Sequence, residues 1–258
     1  MLDRLQKPFL TVETGEAYQP IRLTYELLKK DSVVAAIEKL KCIQKNPTQN
    51  SWTWYWKAEC DDLHFESLDT YKKNPEHPLR LATLTLRGEY LHINLSSFKR
   101  ACLAVSFFYE QFAKEVFRVK KADFINKVFG LEERLPHGLS EIFRDDELDH
   151  IIEERKTNYA QVQERCEQAA TAEEALQILA DYANQEGRKR LPYAERYVFR
   201  LNEAEDSEIL FLGFYIFLRS RELVAIKRWF GETGYSLADA ADETIEQVFG
   251  DMGIDIIE

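Results

Sequence analysis

The sequence predicts an α+β protein: a small antiparallel sheet packed on helices in the N-terminal half, followed by a mostly helical C-terminal half. Three observations carry that expectation. Trp52, Trp54 and Trp56 alternate with Thr53, Tyr55 and Lys57, the period of two of a pleated strand. Leu79–Leu86 and Tyr90–Leu95 are β-rich runs on either side of Arg87-Gly88-Glu89, a hairpin signal with a glycine suited to the turn. Beyond residue 130 the apolar spacing turns helical, and no strand–helix–strand alternation suggests a doubly wound sheet.

In order along the chain, Phe9–Val12 reads as a short strand. After Pro20, residues Ile21, Leu23, Tyr25, Leu27 and Leu28 are read as helical up to Asp31. Ser32 is a candidate N-cap for a second helix carrying Val33, Val34, Ile37, Leu40 and Ile43, stopped by Asn46-Pro47. Ser51–Cys60 is a strand, and residues 69–78, with two prolines, form a loop. Ser96 or Ser97 caps a long helix with apolar positions from Phe98 to Phe117, which breaks near Lys120-Lys121 and resumes to Phe129, Gly130 following its end. The expected sheet has three or four strands.

In the second half, positions 148, 152, 155, 159, 162, 166 and 169 form a narrow helical seam interrupted by Arg155. Thr171-Ala-Glu-Glu174 is a capping box opening a helix that Gly187 ends. Glu208–Phe230 is apolar nearly all round in its first half and is expected at the centre of a helical bundle. Ser236–Asp239 opens the last helix, closed by Gly250. The expected units are residues 1–130 and 131–258, the alternative being one continuous domain with a shared core.

Charge divides the chain the same way. The protein has 258 residues and a net charge of −11. Residues 1–130 carry a net +4 and residues 131–258 a net −15, and after Arg228 there are eight acidic residues and no basic one. An acidic half of that size repels phosphate, so a nucleic-acid binder using its whole surface is not favoured, although a local basic site is compatible. Cys42, Cys60, Cys102 and Cys166 show no CxxC spacing, which argues against a zinc ribbon or a disulfide framework and for a reducing, cytoplasmic setting. The first residues lack a secretory pattern. The longest apolar run, Ile209–Leu218, is about half of a membrane span, so no membrane association is expected.

Four constellations are candidates for function. Residues 145–154 hold Glu147, His150 and Glu154; Glu147 and His150 share a helix face in the Glu-x-x-His spacing that carboxylate-bridged metal sites use. Acidic residues in a first helical turn also simply match the helix dipole. Cys60-Asp61-Asp62-Leu-His64 combines a thiol, carboxylates and an imidazole, a set suited to a divalent ion or a Cys–His pair, or to ordinary turn chemistry. Trp52, Trp54 and Trp56 would stack single-stranded bases if exposed and form core if not. The basic residues Arg188, Lys189, Arg190, Arg219, Arg221, Lys227 and Arg228 stand in an acidic region and suit a phosphate or an acidic partner.

There is no P-loop, dinucleotide fingerprint, nucleophile elbow or zinc-protease helix. The favoured expectation is a non-catalytic protein-interaction or adaptor protein that binds a protein partner through a charged helical surface, with no cofactor. The alternatives are a metal-assisted hydrolase or nuclease using residues 145–154 or 59–64, and a single-strand binder through the tryptophan stripe.

Overall fold

The computed structural model describes residues 7–65, 76–112, 116–133, 160–199 and 207–251. Its centre is an antiparallel sheet of seven strands: β1 (Ile21–Leu27), β2 (Ile43–Lys45), β3 (Ser51–Tyr55), β4 (Arg80–Arg87), β5 (Tyr90–Leu95), β6 (Phe117–Ile125) and β7 (Ala194–Val198). Their spatial order is β2-β3-β4-β5-β1-β6-β7. The helices are α1 (Lys30–Ile37), α2 (Phe98–Gln111), α3 (Ala172–Arg188), α4 (Ser207–Trp229) and α5 (Leu237–Asp251). The mixed α+β class and the helical bias of the second half are as the sequence predicts.

Three elements differ from expectation. Residues after Pro20 form β1, an interior strand of the sheet, not a helix: Ile21, Leu23, Tyr25 and Leu27 are all buried, and that spacing is two, with Leu28 lying beyond the strand. Residues 117–125 form β6, not the continuation of α2. A register shift opposite Thr24 and Tyr25 leaves Lys120 without a partner on β1. Buried Phe117 and Val119 precede the shift and buried Ala122 and Phe124 follow it, so the parity of the apolar positions flips mid-strand and imitates a helical spacing. Gly130 does not follow a helix but bridges Phe9. The third is β7, in the half expected to be mostly helical; it adds a strand to the sheet edge by pairing with β6.

Smaller boundaries shift for local reasons. The helix expected to reach Ile43 stops at Ile37, and Ile43 begins β2 instead. The strand from Ser51 ends at Tyr55 and gives way to a turn of 3₁₀ helix at Ala58–Cys60. Gly187 lies within α3, which runs to Arg188, and has a packing role. A Cβ there would stand 3.0 Å from that of Ala238, so the missing side chain lets α3 approach α5. Most of the seam from Leu148 lies outside the described residues, although residues 160–167 are helical.

The expected hairpin forms, with Gly88 at φ +59° in the turn between β4 and β5. Ser97 is the cap of α2, its hydroxyl accepting the Arg100 N–H at 3.2 Å. Ser97→Ala leaves that N–H without a partner in a fully buried position and is expected to cost about 1 kcal/mol, read as a lowered urea midpoint. The expected caps of α3 and α5 also form. Thr171 Oγ1 accepts the Glu174 N–H at 3.1 Å. Ser236 and Asp239 cap each other, at 3.2 Å and 2.8 Å.

One face of the sheet is apolar and carries the helices. Phe124 on β6 meets Phe98 of α2 edge-on at 5.4 Å and Phe217 of α4 at 5.8 Å, so both helices lie on that face. Tyr25 on β1 stacks on Phe117 at 4.2 Å. Tyr197 on β7 packs on Phe217 at 4.7 Å. The opposite face is polar, with Arg22 donating to Asn94 at 2.9 Å and Arg196 paired with the buried Asp123. The main apolar cluster therefore crosses residue 130, taking in Phe199, Phe214 and Leu218 with the strands of the first half. No helix among the described residues is long and apolar enough to cross a membrane.

Candidate functional site

The tryptophan stripe belongs to the core. Trp52, Trp54 and Trp56 are 1%, 0% and 4% exposed. Trp54 lies against Phe107 and Phe108 of α2, and its indole N–H donates to Cys60 Sγ at 2.8 Å. Stacking a base on these rings would require opening the sheet from its helices, which removes the single-strand reading.

Residues 59–64 also separate. Cys60 is fully buried while Asp61, Asp62 and His64 are exposed, and Glu59 is spent on the backbone N–H groups of Lys41 and Cys42 at 3.1 Å and 2.9 Å. The neighbouring Cys42 thiol is pushed up by its hydrogen bond to Cys60 and then by burial, so it stays protonated. Among the described residues no group of three His, Cys, Asp or Glu side chains could hold a metal ion. Glu147, His150 and Glu154, with the rest of 145–154, lie outside the described residues.

The seven basic residues sort by what they touch. Arg221 is structural: its guanidinium grips the fully buried Glu195 of β7 at 2.7 Å and 3.3 Å and lies over the Phe217 ring at 3.4 Å. Arg219 pairs with Glu222 at 2.5 Å, Lys189 with Glu186, and Lys227 with Glu232 at 3.7 Å. Arg188 is exposed, and its charge adds to the Ser236 hydrogen bonds that hold Asp239 below the usual carboxylate range. Arg190 and Arg228 remain. Neither has a carboxylate within ion-pair distance among the described residues, and both line one cleft of about 580 Å³.

Three segments build that cleft. The end of β6 runs into Asn126, Lys127 and Val128. The loop Arg190–Tyr193 leads into β7, and the last turns of α4 supply Val224, Ala225, Arg228 and Trp229. Asn126 fastens the loop to the strand: its backbone N–H donates to Tyr193 O at 2.9 Å, and its amide donates to Pro192 O at 3.1 Å and Glu195 Oε2 at 2.5 Å. On α4, Arg221, Val224, Ala225 and Arg228 follow the three- and four-residue spacing of one helix face. The Arg221–Glu195 pair therefore docks the helix on β7, and the same face reaches the cleft one turn later.

The other lining groups are held by their own contacts. Lys127 is paired with Glu133, and that ion pair, with the Gly130 N–H, holds the Glu133 carboxyl below its usual range. The Trp229 indole donates to Lys7 O at 2.7 Å and carries Lys7 Nζ over its ring at 4.3 Å. A Cβ on Gly130 would stand 3.1 Å from that indole, so glycine lets the ring settle there. The Arg228 guanidinium is pulled below its ordinary value, first by partial burial and then by the charge of Arg190. Arg190 and Arg228 share one mostly apolar cleft, and Lys127, which also lines it, already has its own carboxylate.

The sequence signalled Arg190 and Arg228 as members of basic clusters but gave nothing to separate them from the other five. The glutamate in Tyr193-Ala-Glu195-Arg-Tyr197-Val-Phe199 is the missed signal: alternation puts it on the face of Tyr197 and Phe199, where a carboxylate demands a buried cation. Asn126 has no sequence signal at all. Comparison with protein-family models, with curated proteins and with solved structures finds no match.

Proposed function

We propose that this chain is a non-catalytic binding protein that holds an acidic group of a protein partner in the cleft between Arg190 and Arg228. The observation that carries the reading is the pair of guanidiniums that meet no carboxylate among the described residues, in a chain that has 45 acidic residues and 34 basic ones. Bringing two like charges together in an apolar cleft costs free energy, and an anion arriving from outside offsets it. The acidic charge of the second half adds selectivity, because it repels anions from the rest of that half.

The test is binding of a fluorescent deca-glutamate peptide to the full chain at low ionic strength. Wild type is expected to bind, with affinity falling as salt shortens the Debye length. Arg190→Ala with Arg228→Ala is expected to lose about 3 kcal/mol or more, from two charge-assisted hydrogen-bonding groups. Arg188→Ala, outside the cleft, is expected to change binding little. A wild-type chain that ignores the peptide, or a double variant that binds it equally well while keeping its circular dichroism, overturns the reading.

A further inference from the structure

We infer that the cleft takes a phosphate monoester that bears an aromatic ring, its phosphate between Arg190 and Arg228 and its ring against the apolar walls. The inference rests on the reading of this cleft as the binding site and names the chemistry of its ligand.

Charge favours phosphate over carboxylate. A phosphate monoester carries about −1.5 to −2 at neutral pH, which matches two guanidiniums, whereas one carboxylate leaves half of the positive charge uncompensated. The guanidinium fork also fits phosphate oxygens two at a time.

Size and lining call for more than the anion. At about 580 Å³ the cleft is several times larger than a phosphate needs and falls within the span of small-ligand sites. Val128, Leu191, Val224 and Ala225 line it, and such walls favour a ligand with an apolar body. Two aromatic side chains face that body. Tyr193 is 56% exposed and open to stack on a ring. Trp229 is fixed by its contacts with Lys7. Asn126 holds the loop that carries Arg190, so little ordering is left to be done on binding.

A ring-bearing phosphate of this kind has two sources, a phosphotyrosine on a partner protein and a free nucleoside monophosphate. The decisive probes are phenyl phosphate, inorganic phosphate and phenylacetate, titrated calorimetrically into the full chain. Phenyl phosphate is expected to bind, with inorganic phosphate and phenylacetate each about tenfold weaker or more. Arg190→Gln and Arg228→Ala are each expected to weaken phenyl phosphate about tenfold or more. Tyr193→Ala is expected to weaken phenyl phosphate several-fold and leave inorganic phosphate unchanged, which a merely structural role would not do. Arg190 is exposed, so its variant remains informative if Arg228→Ala fails to fold.

Absence of phenyl phosphate binding, or binding untouched by Arg190→Gln, overturns the inference. If deca-glutamate is still bound and still lost in the arginine variants, the phosphate inference alone fails; if neither probe binds, the reading of the cleft fails with it. A phosphotyrosine peptide and adenosine monophosphate are then compared. Either order of affinity upholds the ring-bearing phosphate, a tighter peptide naming a protein as its source and a tighter nucleotide a free metabolite.

Discussion

Truncation of Trp54 to alanine is expected to cost about 3–5 kcal/mol, the range for removing a large aromatic from a closed core. Trp54 is 0% exposed, and its ring lies 5.2 Å and 5.3 Å from Phe107 and Phe108 of α2. The variant loses both ring contacts and the N–H donor to Cys60, and it leaves a cavity between sheet and helix. Against a typical domain stability of about 5–15 kcal/mol, that is enough to lower the urea midpoint severely. Trp54→Phe keeps most of the packing and loses the hydrogen bond, and is expected to cost less than half as much. An exposed stripe would give a change within about 0.5 kcal/mol instead, and that outcome would contradict the buried placement.

How much of this was legible in the sequence depends on whether local pattern and tertiary context agreed. The β4–β5 hairpin was readable because two alternating runs flank a glycine, and α2, α3 and α5 because Ser97, Thr171 and Ser236 supply their own caps. β6 was not, because the register shift at Lys120 breaks the alternation that identifies a strand. β7 was not, because it is five residues long and its inward position holds Glu195, a residue that alternation alone assigns to solvent. The site was half legible for the same reason. Clusters of basic residues are visible in a sequence, but the carboxylate each one meets is set by folding. Arg190 and Arg228 meet only when the end of β6, the loop before β7 and α4 come together.

Arg221→Ala and Glu195→Ala are each expected to destabilise the protein by about 3–5 kcal/mol, because each leaves one buried charge without its partner. Glu195 is 0% exposed and Arg221 is 6% exposed, and the pair joins the edge strand β7 to α4. In Arg221→Ala the carboxylate keeps the Asn126 amide. In Glu195→Ala the guanidinium keeps the Phe217 carbonyl and ring. Replacing both at once, Glu195→Leu with Arg221→Met, removes the charges together and is expected to lie within about 1 kcal/mol of wild type. Urea unfolding of wild type and the three variants compares the cost of breaking the pair with that of replacing it. The same set tests the division of labour among the basic residues. The double apolar variant keeps Arg190 and Arg228 and the docking of α4, so it should still bind the acidic probe at low ionic strength. If Arg221→Ala instead unfolds like wild type and loses the probe, Arg221 is a ligand-binding residue and the buried pair with Glu195 is not what holds β7 against the helix.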